Sequence, residues 1–159
     1  MSALTQDRSQ AAKAPPYGAY AAIMGAFAGG LALAGAVARL LGRDPRERTP
    51  LDFVVLCAAS FKAARTIARD EVTSFVREPF VEGHAHEGDE EPMHTGDMQQ
   101  AIGELVTCSR CVGTWAAAGL AATQIVTPSF GRLLTWSLAA AGVNDFLQAA
   151  FSALTSRAD

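Results

Sequence analysis

The chain has 159 residues, enough for one domain, and is 50% hydrophobic against 18% charged, richer in apolar residues than a soluble core of this size requires. A formal net charge of −3 excludes a general affinity for nucleic acid, which needs a basic face to displace counterions from phosphates. Three cysteines, one set well apart, exclude a secreted disulfide framework and make reduced thiols the default expectation. Runs of Ala, Gly and Leu fill both ends with few β-branched residues, which predicts an all-α fold. The expected architecture is a small integral membrane helical bundle of three or four membrane helices with a polar central loop.

In chain order, Met1 to Pro16 is polar and ends in Pro15-Pro16, and it reads as a disordered tail. The run that follows is too long for the hydrophobic region of a signal peptide. Tyr17 to Leu41 carries no charge before Arg39, long enough to cross a hydrocarbon core of ~30 Å. Tyr17 and Tyr20 suit one interface, and Arg39 can reach the other. Within this segment Ala21, Gly25 and Gly29 share a face at four-residue spacing, which permits close backbone packing, although so Ala- and Gly-rich a helix also shows that spacing by chance.

Gly42 to Pro50 is a polar loop with Arg43, Arg46 and Arg48, and its Thr-Pro can start the next helix. The positive-inside rule puts this loop in the cytoplasm and the N-terminus outside. The segment 51–69 is apolar at first, then carries Lys62, Arg65 and Arg69 as one basic stripe. Either a spanning helix or a re-entrant, interfacial one fits; basic residues at both ends favour the second.

The segment 70–106 holds ten of the sixteen acidic residues, one basic residue, Arg77, and all three histidines. Clustered charge and low hydrophobicity predict a solvated acidic loop. The alternative is a zinc site in which His84, His86 and His94 join Cys108 and Cys111, a sufficient set of nitrogen and thiolate ligands at a spacing that matches no standard finger.

Thr107-Cys108-Ser109-Arg110-Cys111-Val112-Gly113-Thr114-Trp115 places a C-x-x-C pair where this polar segment gives way to an apolar helix, expected over 111–127 with Trp115 as an interfacial anchor. A helix N-terminus beside Arg110 would favour a thiolate and hence redox chemistry, but the βαβ context of thioredoxin-like sites is absent. The remaining reading is a structural turn. After a turn at Pro128 to Arg132, a last helix is expected over 132–154, with Asn144 and Asp145 at a depth where a carboxylate must be paired or face a wet cavity. Lys62, Arg65 or a partner subunit would supply the counter-charge. Lone Cys57 reads as a small buried hydrophobe.

Arg69-Asp70-Glu71-Val72-Thr73, Arg77-Glu78-Pro79-Phe80 and Ile102-Gly103-Glu104-Leu105-Val106-Thr107 leading into the cysteine motif resemble, over about Leu51 to Phe151, a bacterial domain-of-unknown-function family, number thirteen-sixty. The chain departs from that pattern at Ser109-Arg110, where the family often has Pro-Trp, and in its His-rich acidic insert. The resemblance implies a multi-pass protein of the bacterial inner membrane with no activity to transfer. Asp70, Thr73, Arg77, Pro79, Phe80, Gly103, Glu104, Gly113 and Trp115 then read as structural: Asp70 and Thr73 capping a helix, Arg77 pairing with Glu104 or Asp70.

With no nucleophile and base pair and no nucleotide-binding loop, the first expectation is a non-enzymatic subunit. It would pack with itself or with other membrane proteins in the lipid bilayer and carry an ordered cytoplasmic cap. The second is a thiol-redox or zinc-binding protein, and the third a channel centred on Asp145.

Overall fold

The computed structural model describes residues 15–43, 49–85 and 87–157. Four long helices form the body: α1 (Tyr17–Leu40), α2 (Pro50–Arg69), α5 (Ser109–Val126) and α6 (Pro128–Thr155). Between α2 and α5 the chain builds a small cap from a 3-10 turn (Glu71–Thr73), the single-turn α3 (Ser74–Arg77), a second 3-10 turn (Glu78–Phe80), the strands β1 (Val81–Glu82) and β2 (Glu91–Pro92), and α4 (Met98–Thr107). The expected tail lies, up to residue 14, outside the described residues, as do Arg46, Arg48 and His86.

Local chemistry sets these boundaries. Thr49 and Asp52 form a reciprocal capping box, with Thr49 Oγ1 accepting from the Asp52 N–H at 3.2 Å and Asp52 Oδ2 accepting from the Thr49 N–H at 3.0 Å, and Pro50 follows at the first helical position. The expected turn at Pro128 to Arg132 is a correction. Pro128 opens α6 directly after Thr127, because proline's missing N–H costs nothing there. Gly131 makes so sharp a reversal feasible, since a Cβ on it would stand 2.5 Å from the backbone of Gln124.

α2 lies at the centre of the body, against α5 and α6. Val55, Ala59, Leu120 and Ala139 form one apolar cluster, and Ala64, Ala68 and Val112 another nearer the cap. These pairings make α2 antiparallel to α5 and parallel to α6. Tyr20 meets Glu104 near the start of α5, while Arg43 donates to the carbonyls of Ile125 and Val126 at its end, so α1 runs alongside α5 in the same direction. The segment 51–69 lies within one unbroken helix, Pro50–Arg69. The residues before α2 and the cap after it sit at opposite ends.

The expected loop over 70–106 is also corrected. Part of it is regular structure: β1 pairs antiparallel with β2, Val81 opposite Pro92, Gly83 turns the chain at φ 92°, and α4 covers Met98–Thr107, while most of the acidic side chains stay exposed. α4 packs against β2 and meets α5 at 86° across Cys108.

Among the described residues the regular structure is all helical apart from that two-stranded ribbon. Among the described residues one helix, α1, is long and apolar enough to cross a membrane, and α4 with α5 would make a second only as a broken span. Three or four such helices are not met by this measure. The basic stripe lowers the hydropathy of α2, and Asn144, Asp145 and Gln148 lower that of α6.

Candidate functional site

Arg77, at the end of α3, is fully buried, and the cap is arranged around it. Its Nε donates to Glu90 Oε2 at 2.8 Å, and one terminal nitrogen donates to the carbonyls of Ile67 at 2.7 Å and Asp70 at 3.1 Å and to Thr73 Oγ1 at 3.1 Å. The guanidinium thus caps the open carbonyls at the end of α2, where the helix has no further N–H groups to offer. The other terminal nitrogen, Nη2, is buried without a hydrogen-bond partner. Glu90, immediately before β2, takes the place expected of Glu104 or of the Asp70 carboxylate. A partner thirteen residues away, reached only once the ribbon closes, has no spacing signal.

Asp70 is the C-cap of α2 and contributes its carbonyl to Arg77, while the Thr73 hydroxyl donates to the Thr66 carbonyl, so both serve the C-terminal end of α2, Asp70 through its backbone and Thr73 through its side chain. Pro79 and Phe80 lend backbone carbonyls, to Gln99 Nε2 at 2.7 Å and to the Met93 N–H at 3.1 Å. Gly103 is a contact point, because a Cβ there would stand 2.4 Å from the Phe80 carbonyl oxygen. Glu104 accepts from Gln100 Nε2 at 2.8 Å and from the Tyr20 hydroxyl, tying α1 to α4. Tyr20, Gln100 and Glu90 are members that sequence reading did not assign to the site.

At the boundary turn Cys108 and Cys111 are joined as a disulfide, with Cα atoms 5.3 Å apart, in place of the expected thiols. Cys108 is the N-cap of α5, its sulfur accepting from the Cys111 N–H at 3.2 Å. Sulfurs bonded to each other are not thiolate ligands. Among the described residues no three His, Cys, Asp or Glu side chains gather to hold a metal; His84 lies in the turn after β1 and His94 follows β2. Gly113 lies on the α2 side of α5, where a Cβ would make ordinary contact with Ala64 at 3.7 Å. Trp115 meets Phe27 edge to face, ring centres 5.0 Å apart, and joins α5 to α1.

Near the cap end of the body, Lys62 Nζ stands 2.8 Å from Asp145 Oδ2 and 3.9 Å from Asp70 Oδ2. Of the three counter-charges considered for Asp145, Lys62 is the one in place. Asn144, next to it, is exposed. Cys57 is exposed too, not buried as expected. A Cβ on Gly142 would stand 3.2 Å from the Ala58 carbonyl, so this glycine lets α6 approach α2 close enough for the ion pair.

Two curated relatives frame these residues. The chain is 28% identical over 108 residues to the UPF0713 protein YngL of Bacillus subtilis (strain 168), covering 63% of this chain and 78% of that one. It is 30% identical over 109 residues to the sporulation protein YjcA of the same organism, covering 62% of this chain and 88% of that one. No solved structure matches. The family pattern described as protein of unknown function (DUF1360) matches residues 55–151, from within α2 to near the end of α6, and includes the whole cap, the cysteine turn and the Lys62–Asp145 pair. The chain belongs to that family.

Proposed function

We propose that this protein is a non-enzymatic, multi-pass subunit of the bacterial inner membrane, its four long helices embedded as a bundle and its cap ordered at one end. The observation that carries this reading is where the large and small apolar residues lie. Six of the ten buried apolar residues among those described are alanines: Ala38, Ala59, Ala64, Ala68, Ala101 and Ala139. The large ones point outward, among them Leu33 and Met24 on α1, Phe53 and Val54 on α2, and Leu133, Phe146, Leu147 and Phe151 on α6, each about two-thirds exposed. A water-soluble bundle buries such side chains at 1.5–3 kcal/mol apiece, so this distribution would be costly in water. In lipid the outward face gains nothing by burial, and close packing of small residues is what holds helices together. Lys62 and Asp145 on α2 and α6 are tolerable in that setting because they neutralise one another.

In that role its partners would be further copies of the chain or other membrane proteins. The deciding experiment is alkaline carbonate extraction of membranes from cells producing the chain. Retention in the pellet is expected; release to the supernatant, as for a peripheral protein, would overturn the reading.

A second reading has its own observation, the Cys108–Cys111 disulfide at the start of α5 beside Arg110. A helix N-terminus and an adjacent cation favour the thiolate of a reduced pair, and Cys111 is exposed to a reaction partner. Equilibration against defined thiol–disulfide buffers tests it: a pair that turns over with the buffer supports exchange chemistry, and one that stays oxidised throughout assigns the bond to structure.

A further inference from the structure

We propose that the groove between α2 and the first turn of α5 binds an anionic phospholipid, its phosphate held by Arg65 and Arg110 and one acyl chain lying along Phe61 and Cys57. This inference rests on the membrane reading above and adds a specific lipid site to it.

The groove is a cleft of about 310 Å³ lined by Cys57, Ser60, Phe61, Ala64, Arg65, Ser109, Arg110 and Gly113. Its two ends differ. One end gathers two guanidinium groups from different helices with the Ser109 hydroxyl, at the N-terminus of an 18-residue helix whose first N–H groups have no carbonyl of that helix to bind. The other end is apolar. Cys57 lies eight residues before Arg65 on α2, about 12 Å along the helix axis, and Phe61 stands between them. A phosphate with a hydrocarbon chain attached has that same polarity and reach.

Charge complementarity selects the occupant. Among the described residues Arg65, Arg69 and Arg110 have no ion pair, whereas Lys62 is taken by Asp145 and Arg77 by Glu90; of the three, Arg65 and Arg110 line the groove. Asp145 lines the neighbouring cleft with Arg65, yet its carboxylate goes to Lys62. Two arginines left over at the polar end of an apolar groove, at the level where the body meets its cap, call for an anion that arrives with the lipid. A zwitterionic headgroup would bring a cation into the same corner, so a headgroup of net negative charge fits better.

The test is native mass spectrometry of the full chain in mild detergent, titrated with palmitoyl-oleoyl-phosphatidylglycerol or with the phosphatidylcholine of the same chains. The expected result is phosphatidylglycerol retained at least about fivefold more tightly, with the preference abolished in Arg65→Gln/Arg110→Gln and kept in Arg132→Gln, which removes the same charge at the far end of the bundle. Arg65→Lys/Arg110→Lys should retain most of it, and unchanged helix content by circular dichroism certifies each variant as folded. Equal retention of both lipids by the wild type, a preference surviving the double glutamine variant, or displacement of phosphatidylglycerol by millimolar inorganic phosphate would each overturn the proposal. Carbonate extraction separates the two failures. A chain that leaves the membrane defeats the underlying reading, while one that stays and shows no lipid preference defeats only the groove.

Discussion

Where α6 crosses α2, a Cβ on Gly142 would come within 3.2 Å of the Ala58 carbonyl, and Ala59 and Ala139 lie in the buried cluster there, with Phe61 and Phe146 stacked at the rim. In the cap, by contrast, the central object is a fully buried arginine with four hydrogen-bonded neighbours. The interior of the body is mostly alanine, with Leu120 its largest buried side chain, whereas the cap depends on a buried arginine. Small contacts are individually weak and interchangeable, so losses in the body should be graded. A buried ionic hub is different: its parts are over-determined while complete, and each becomes a liability once its partner is removed.

The sharpest way to break that contrast is Arg77→Met. Removing one partner of a buried ion pair costs about 3–5 kcal/mol, because Glu90, whose side chain is only 13% exposed, is left charged and unpaired. Hydrogen exchange by mass spectrometry should show protection lost across residues 71–97 and kept in α5 and α6. The double variant Arg77→Met/Glu90→Gln should regain part of it, since the stranded charge is gone. A cap as protected in Arg77→Met as in the wild type would mean that Arg77 is not its centre.

A pair of glycine variants sharpens the same comparison at a smaller scale. Gly103→Ala would push a Cβ to 2.4 Å from the Phe80 carbonyl oxygen, which is backbone and cannot step aside cheaply. A loss of about 1–3 kcal/mol is expected, read as a lower unfolding midpoint in detergent. Gly29→Ala, on the small-residue face of α1, meets nothing within 4 Å, so its midpoint should hold or rise slightly with the better helix former. Equal penalties at the two sites would remove the distinction. A penalty at Gly29 alone would show that this face is packed against another subunit.

How much of this the sequence displayed differs between the regions for a physical reason. Helix α1 was legible because it is a local property: an uncharged run of the right length needs no partner to be recognised. The need of Asp145 for a counter-charge was legible as well, since the cost of burying a carboxylate belongs to the residue, and Lys62 was among those named. The cap was not. Its order comes from contacts such as Arg77 with Glu90 and Tyr20 with Glu104, the second spanning 84 positions, and composition registers only that the segment is acidic. Asp70 and Thr73 were legible as helix-capping residues, but not that Asp70 would act on Arg77 through its backbone carbonyl, to which any residue at that position would contribute equally. The break at Thr127 was misplaced because Pro128 signals a helix start as readily as a turn.

The contact between the regions gives a smaller effect. Tyr20→Phe deletes the hydroxyl that Glu104 accepts from and leaves the carboxylate with Gln100, so a loss of about 1 kcal/mol is expected. Limited proteolysis should detect it first as faster cleavage near the start of α1, with the cap unchanged. Cleavage appearing in the cap instead would show that α1 supports the hub and that the two regions are one cooperative unit.

The smallest change is expected at Asp145→Asn. Both side chains of that ion pair are partly exposed, at 20% for Lys62 and 42% for Asp145, and Lys62 has the Asp70 carboxylate 3.9 Å away on its other side. When Asp145 is neutralised, Lys62 therefore keeps an acid within reach, and the midpoint should fall by about 1 kcal/mol or less. The same variant separates packing from conduction. If the pair only joins α2 to α6, ion flux into vesicles carrying the chain should be at background before and after the substitution. A flux present in the wild type and abolished in Asp145→Asn would assign the carboxylate a transport role that its contact with Lys62 alone does not require.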